Sequence, residues 1–202
     1  MTALARLRKC ATADGASSLA EFAISLPLLI VLVVGIFDFG GAFNQKQQLV
    51  SIMRDAARFG ASSPTNDLAY GTAPPSINAI RDLVDGYLIA ARLPDCGLGT
   101  AVGSPSGPPW AYDSTGGCPS PGVILTIYRD PQAGPNGSTS ACTPLPTQNY
   151  GTNGLNVFLT CTRVSISYPY QWHFNSVIQL LVPGSNLGLS QLYAVATAVN
   201  MN

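Results

Sequence analysis

The chain has 202 residues, with 10 Lys or Arg against 10 Asp or Glu, so its formal net charge is zero and only 10% of it is charged. Just two of the cations are lysines, which leaves no broad basic face to neutralise phosphates and excludes nucleic-acid binding by that route. The 20 glycines and 16 prolines fit a membrane-anchored extracytoplasmic protein better than a cytosolic enzyme.

Arg6, Arg8 and Lys9 precede an apolar run from Phe22 to Phe43. At 1.5 Å per residue, a helix of about 22 residues spans roughly 33 Å, enough for a hydrocarbon core of about 30 Å. Glu21, the single glutamate of the chain, stands at the near edge of the run. It can snorkel, or it can pair at the membrane edge with an ammonium, either a neighbour's N-terminus or a basic side chain; spacing leaves both open. Asp38 lies close to the far end, where a carboxylate reaches headgroups and water at lower cost than at mid-bilayer, and is expected to be interfacial. Gly35, Gly40 and Gly41 permit close helix packing in lipid, and they also weaken the helix. A cleavable secretory signal is the rival reading, with Gly40 to Ala42 imitating a cleavage site. The run is longer than an h-region of about 7–15 residues and bears Glu21, Pro27 and Asp38, which favours an anchor.

The helical pattern continues past the run. Leu49, Met53, Ala56, Ala57 and Gly60 recur at steps of three and four, and Ser62, Ser63 and Pro64 end the stripe. One helix from Ser17 to Ala61 would be about 70 Å long, its first half in lipid and its second half against a soluble domain.

These residues carry a resemblance. AEFAISLPLL, then GIFDFGGAF, then MRDAARFGA are similar to the N-terminal region of TadE-like pilus assembly proteins, with Glu21, Phe22, Pro27, Gly35, Asp38, Phe39, Gly40, Arg54, Asp55, Ala56, Ala57 and Arg58 on the family's positions. The family often has a basic residue where this chain has Gly41. The resemblance covers about the first third of the chain. It implies a minor pilin or pseudopilin of the tight-adherence pilus, whose partners are the membrane, other pilins or pseudopilins and the assembly platform. It also implies processing by a prepilin peptidase around Gly15, Ala16 and Ser17. Cleavage after Gly15 makes Glu21 the sixth mature residue, and cleavage after Ala16 makes it the fifth, the place it holds in related prepilins. Glu21 would then pair with a neighbour's N-terminus during assembly, while Gly35, Asp38 and Gly40 would serve helix packing in the membrane.

Beyond a loop from Ser62 to Pro75, a second helix is expected from Ser76 to Ala91, with Ser76 as its N-cap and Ile77, Ile80, Val84, Tyr87, Leu88 and Ala91 on one face. Asp95 to Pro121 reads as a long loop held by cysteine. Val123 to Asp130 is a strand, Pro131 to Gly154 a second loop, and Leu155 to Tyr170 the strongest strand, with Val164, Ile166 and Tyr168 alternating against Arg163, Ser165 and Ser167. The apolar stretch WHFNSVIQLLVPG is either a short amphipathic helix or a loop. Leu189 to Asn200 is the last strand, with Leu192, Ala194, Ala196 and Ala198 on one face. The expected fold is α+β and pilin-like: a long N-terminal helix and a second helix on a small antiparallel sheet of three or four strands.

Cys10 precedes the span, whereas Cys96, Cys118, Cys142 and Cys161 follow it. A lone thiol suits the reduced cytosol and an even set suits an oxidising compartment. This orients a cytoplasmic leader (1–15), a transmembrane and extended helix (16–61) and an extracytoplasmic domain (62–202) in a bacterial inner membrane. Four cysteines allow three pairings; the expected one joins Cys96 to Cys118 and Cys142 to Cys161, closing loops of about 20 residues worth roughly 3 kcal/mol each. Their spacing lacks a C-x-x-C pair, so a metal site is not expected. His173 is the sole histidine and has no nucleophile motif beside it, so neither an enzyme nor a cofactor is expected. The alternative function is a single-span protein whose external domain binds a surface or ligand through an exposed patch around Trp110, Tyr112 and Tyr168 to Trp172, without entering a filament.

Overall fold

The computed structural model describes residues 14–64, 66–68, 72–105, 107–130, 160–172, 179, 184 and 189–200. Helix α1 runs Asp14–Ser62 without interruption, and α2 runs Pro75–Ala90. A 3-10 turn at Leu98–Thr100 precedes four strands: β1 (Trp110–Ser114), β2 (Val123–Asp130), β3 (Thr160–Gln171) and β4 (Leu189–Asn200). The strands form one antiparallel sheet in the order β1-β2-β3-β4. The chain forms two compact units, one of residues 1–41 with 172–188, the other of residues 42–171 with 189–202.

In the first unit α1 is apolar and uncovered. Ile24, Leu28 and Phe37 are between 74 and 79% exposed, and the helix is long and apolar enough to cross a membrane. Large apolar side chains exposed in series along one helix mark a surface meant for lipid or protein rather than water. Pro27 lies inside the helix; it removes one backbone donor, a loss that transmembrane helices tolerate.

The second unit holds the core. Leu49, Ile52, Met53, Ala56 and Ala57 of α1 join Ile77, Ile80, Val84 and Leu88 of α2 over the inner face of the sheet. Each fully buried Leu or Ile contributes roughly 1.5–3 kcal/mol of hydrophobic stabilisation. The strand register aligns inward residues in rows: Tyr112, Leu125, Ile166 and Ala194 in one, and Trp110, Ile127, Val164 and Ala196 in the next. Side chains shrink along each row toward β4. The alternation expected in β3 holds, because Val164, Ile166 and Tyr168 are buried while Arg163, Ser165 and Ser167 are half-buried.

Gly60 marks a close approach of α1 to its neighbours. A Cβ there would sit 2.5 Å from Thr162 Cγ2 on β3 and 2.9 Å from Ile80 Cδ1 on α2, so a larger residue requires these side chains to shift. Gly122, just before β2, has φ 76°, a left-handed conformation that glycine adopts without strain.

Four expectations need correction. The segment read as loop between Asp95 and Pro121 contains β1, whose Trp110, Tyr112 and Ser114 alternate inward. Ser76 is not the N-cap of α2; Pro74 holds that position, Pro75 opens the helix, and the cap comes from outside. The Asp67 carboxylate accepts from the Ser76 backbone N–H at 2.8 Å and from its hydroxyl at 3.0 Å, placing negative charge at a helix N-terminus. Tyr87 lies at the edge of the apolar face and is 42% exposed. Trp110, Tyr112, Tyr168 and Tyr170 are buried, so they form core rather than an exposed aromatic patch.

Candidate functional site

Gly15, Ala16 and Ser17 lie in the first turn of α1, and Glu21 follows one turn later with its side chain exposed. Helical rise separates Glu21 from Asp38 by about 26 Å. Gly35 and Gly40 stand between and beyond, and a Cβ at either would meet no atom within 4 Å. Among the described residues nothing packs on them, which leaves a smooth flank of the kind that admits a second helix.

Asp38 is only 6% exposed within the protein. Asp38, Ala42, Leu49, Met53, Ala56 and Gly60 follow one another at multiples of three- and four-residue steps, so Asp38 opens the stripe that faces protein along the rest of α1. One residue on, the Phe39 ring meets Trp172 edge-on, with centroids 5.1 Å apart and planes at 62°. On the other side of the stripe Arg54, Asp55 and Arg58 are exposed. The Arg58–Asp55 pair is 4.0 Å apart and solvated, which makes it worth little to stability and keeps it accessible to a partner.

Several polar residues that anchor the second unit escaped sequence reasoning. Arg129 is fully buried and donates to the carbonyls of Ser63 and Pro64, immediately beyond the last turn of α1. A cation there complements the negative end of the helix dipole. Burial pulls its pKa down and the Asp67 carboxylate counteracts this. Arg129 could have been found by parity, since Val123, Leu125 and Ile127 share its inward face. The Tyr168 hydroxyl donates to the Pro94 carbonyl at 2.9 Å, and the Ser114 hydroxyl donates to the Cys96 carbonyl. Burial pushes the pKa of both Tyr112 and Tyr168 up to about 12; Arg81 works against this at Tyr112, and Asp95 reinforces it at Tyr168.

Cys96 and Cys118 form a disulfide with Cα atoms 5.3 Å apart, tying the end of the α2 connection to the turn after β1. Cys161 on β3 is disulfide-bonded as well. Cys142, Cys10 and His173 lie outside the described residues, as do residues 155–159 of the strand expected from Leu155.

An open cleft of about 500 Å³ is bordered by Asn78, Arg81 and Ala101. Its polar groups are already engaged: Arg81 donates to the Ala101 carbonyl at 2.7 Å and to Asp82 at 2.6 Å, and the Tyr112 hydroxyl donates to Asn78 at 2.8 Å. Among the described residues no group of three or more His, Cys, Asp or Glu could hold a metal ion.

The arrangement defines a class: an α+β protein of pilin-like layout, whose N-terminal helix is bare and apolar in its first half and part of the folded core in its second. The family model described as TadE-like protein matches residues 15–58, a span that lies wholly within α1. The similarity to TadE-like proteins is thus confined to the N-terminal segment. No curated protein and no solved structure matches the chain.

Proposed function

We propose that this protein is a minor pilin or pseudopilin of the tight-adherence pilus, held in the inner membrane by the first half of α1 until assembly draws it toward the filament. The observation that carries this reading is the unbroken helix Asp14–Ser62, apolar and exposed where it leaves the folded core, with Glu21 at its entrance. Moving such a helix from lipid to a filament replaces acyl chains by neighbouring helices, at the flank that Gly35 and Gly40 leave open. In that dry interior Glu21 would neutralise an adjacent N-terminus. A buried charge without a partner costs several kcal/mol, so the pairing sets axial register more than it adds stability.

The leader, residues 1–15, is cytoplasmic in this reading, and residues 62–202 face the periplasm or exterior. The Cys96–Cys118 bridge supports that orientation, because disulfides persist in oxidising compartments. Prepilin peptidase would cut beside Gly15, Ala16 or Ser17, and the second bridge would join Cys142 to Cys161. The role is structural, without catalysis or cofactor. A ligand-binding external domain has less support, because the aromatic residues that would build its patch are buried and the cleft beside α2 spends its polar groups internally.

Glu21→Ala should leave membrane insertion intact and reduce piliation severalfold, scored by pilus counts and by surface recovery of the subunit. Wild-type piliation by the variant would reject the pairing role. Mass spectrometry of the mature protein should find its terminus at Ala16 or Ser17.

A further inference from the structure

The apolar connection that opens with Trp172 has no part in the assembly reading. From Val164 to the C-terminus the chain contains no Lys, Arg, Asp or Glu, and the stretch WHFNSVIQLLVPG places Trp, Phe, Val, Ile and Leu residues between two strands. A connection between two strands that ran through water would ordinarily carry charge, and residues 172–188 carry no Lys, Arg, Asp or Glu. They form one compact unit with residues 1–41, the unit that contains the apolar half of α1.

The level of the contact is given by helix geometry. Phe39 stands about 27 Å of helical rise beyond Glu21, close to the thickness of a hydrocarbon core of about 30 Å. Phe39 is 68% exposed, so the helix surface around it is open to its surroundings. Trp172 rests edge-on against that ring at 5.1 Å and is itself only half-buried. An indole has an apolar body and a single N–H donor, and this chemistry favours the boundary between acyl chains and headgroups.

We propose that Trp172 is a second membrane contact: an interfacial anchor that seats in the headgroup layer at the far end of the span. Its partner is the lipid interface itself. The inference rests on α1 crossing the membrane, and it adds a contact with the same bilayer from a residue far along the sequence. Such an anchor restricts rotation of the subunit about its own helix while it waits in the membrane, and it must be released before the subunit leaves.

The test uses the full chain in vesicles of phosphatidylethanolamine and phosphatidylglycerol. The protein has two tryptophans, and the other, Trp110, is buried in the core. Lipids brominated near the headgroup end of the acyl chain should quench the emission more than lipids brominated near the chain terminus. Trp172→Phe should abolish that quenching and leave the Trp110 emission in place. Quenching of Trp172 by aqueous iodide with none by brominated lipid would overturn the proposal, as it would put the connection in water. Protection from both quenchers would also overturn it, in favour of cover by protein such as a second copy. Alkaline carbonate extraction separates the two layers of inference. Retention of the protein without lipid quenching defeats the anchor alone, whereas release defeats the transmembrane reading beneath it.

Discussion

Asp85 on α2 shows how a single carboxyl can tune the folded domain. It accepts from the Gly99 backbone N–H at 3.0 Å, joining α2 to the 3-10 turn. Burial raises its pKa above the ordinary 3.8, the Gly99 bond opposes that, and the Asp95 and Asp82 carboxylates add to the rise. A carboxyl whose folded pKa is raised contributes stability that is fully present below its unfolded value and is lost as pH rises through its folded value. Asp85→Asn keeps an acceptor for Gly99 and removes the titration. The variant should be more thermostable than wild type at pH 7, and the difference should vanish as pH falls below the ordinary carboxylate range; thermal unfolding across that range reads both. Arg129 and Asp67 illustrate the complementary lesson. Each is polar and far in sequence from the group it serves, so its role follows from tertiary contact and not from its neighbours in the chain.

Among elements, α1, α2 and β3 meet closely at Gly60. Gly60→Ala gains helix propensity of about 1 kcal/mol. It also drives a methyl into Thr162 and Ile80, an overpacking that typically costs about 1–3 kcal/mol. The expected net result is a lower Tm. Thr162→Ala should rescue it, because it removes both the crowding methyl and a buried hydroxyl that has no hydrogen-bond partner among the described residues. Denaturant unfolding of the single and double variants gives the coupling, and additivity would show that the clash is relieved elsewhere.

How much of each element was legible depended on its period. The stripe of α1 and the strands Val123–Asp130 and Leu189–Asn200 were readable because their apolar spacing repeats for two turns or more, or for several alternations. β1 was not, since five residues between glycines and prolines give only the pair Trp110 and Tyr112 as a signal. Within the candidate site, Glu21 stood out by being the only glutamate, but the burial of Asp38 did not. A membrane-boundary argument looks along the helix axis, whereas the burial arises from the face on which the residue lies.

For the whole molecule, the staple between Cys96 and Cys118 ties the connection after α2 to the turn between β1 and β2. Replacing both cysteines with alanine should cost about 3 kcal/mol, the chain-entropy value for a loop of about 20 residues. A matching fall in the unfolding midpoint, equal to that produced by selective reduction of this bridge, is the expected result. An unchanged midpoint would mean that packing alone holds the connection. The loss should leave membrane retention untouched, since the apolar half of α1 contains no cysteine.

The guanidinium of Arg129 grips two carbonyls just past the last turn of α1, from a position on the second strand of a four-stranded sheet. Traction that reaches the end of the helix therefore passes through one side chain into a hydrogen-bonded strand. A subunit tugged by its stem would load the sheet through that single grip.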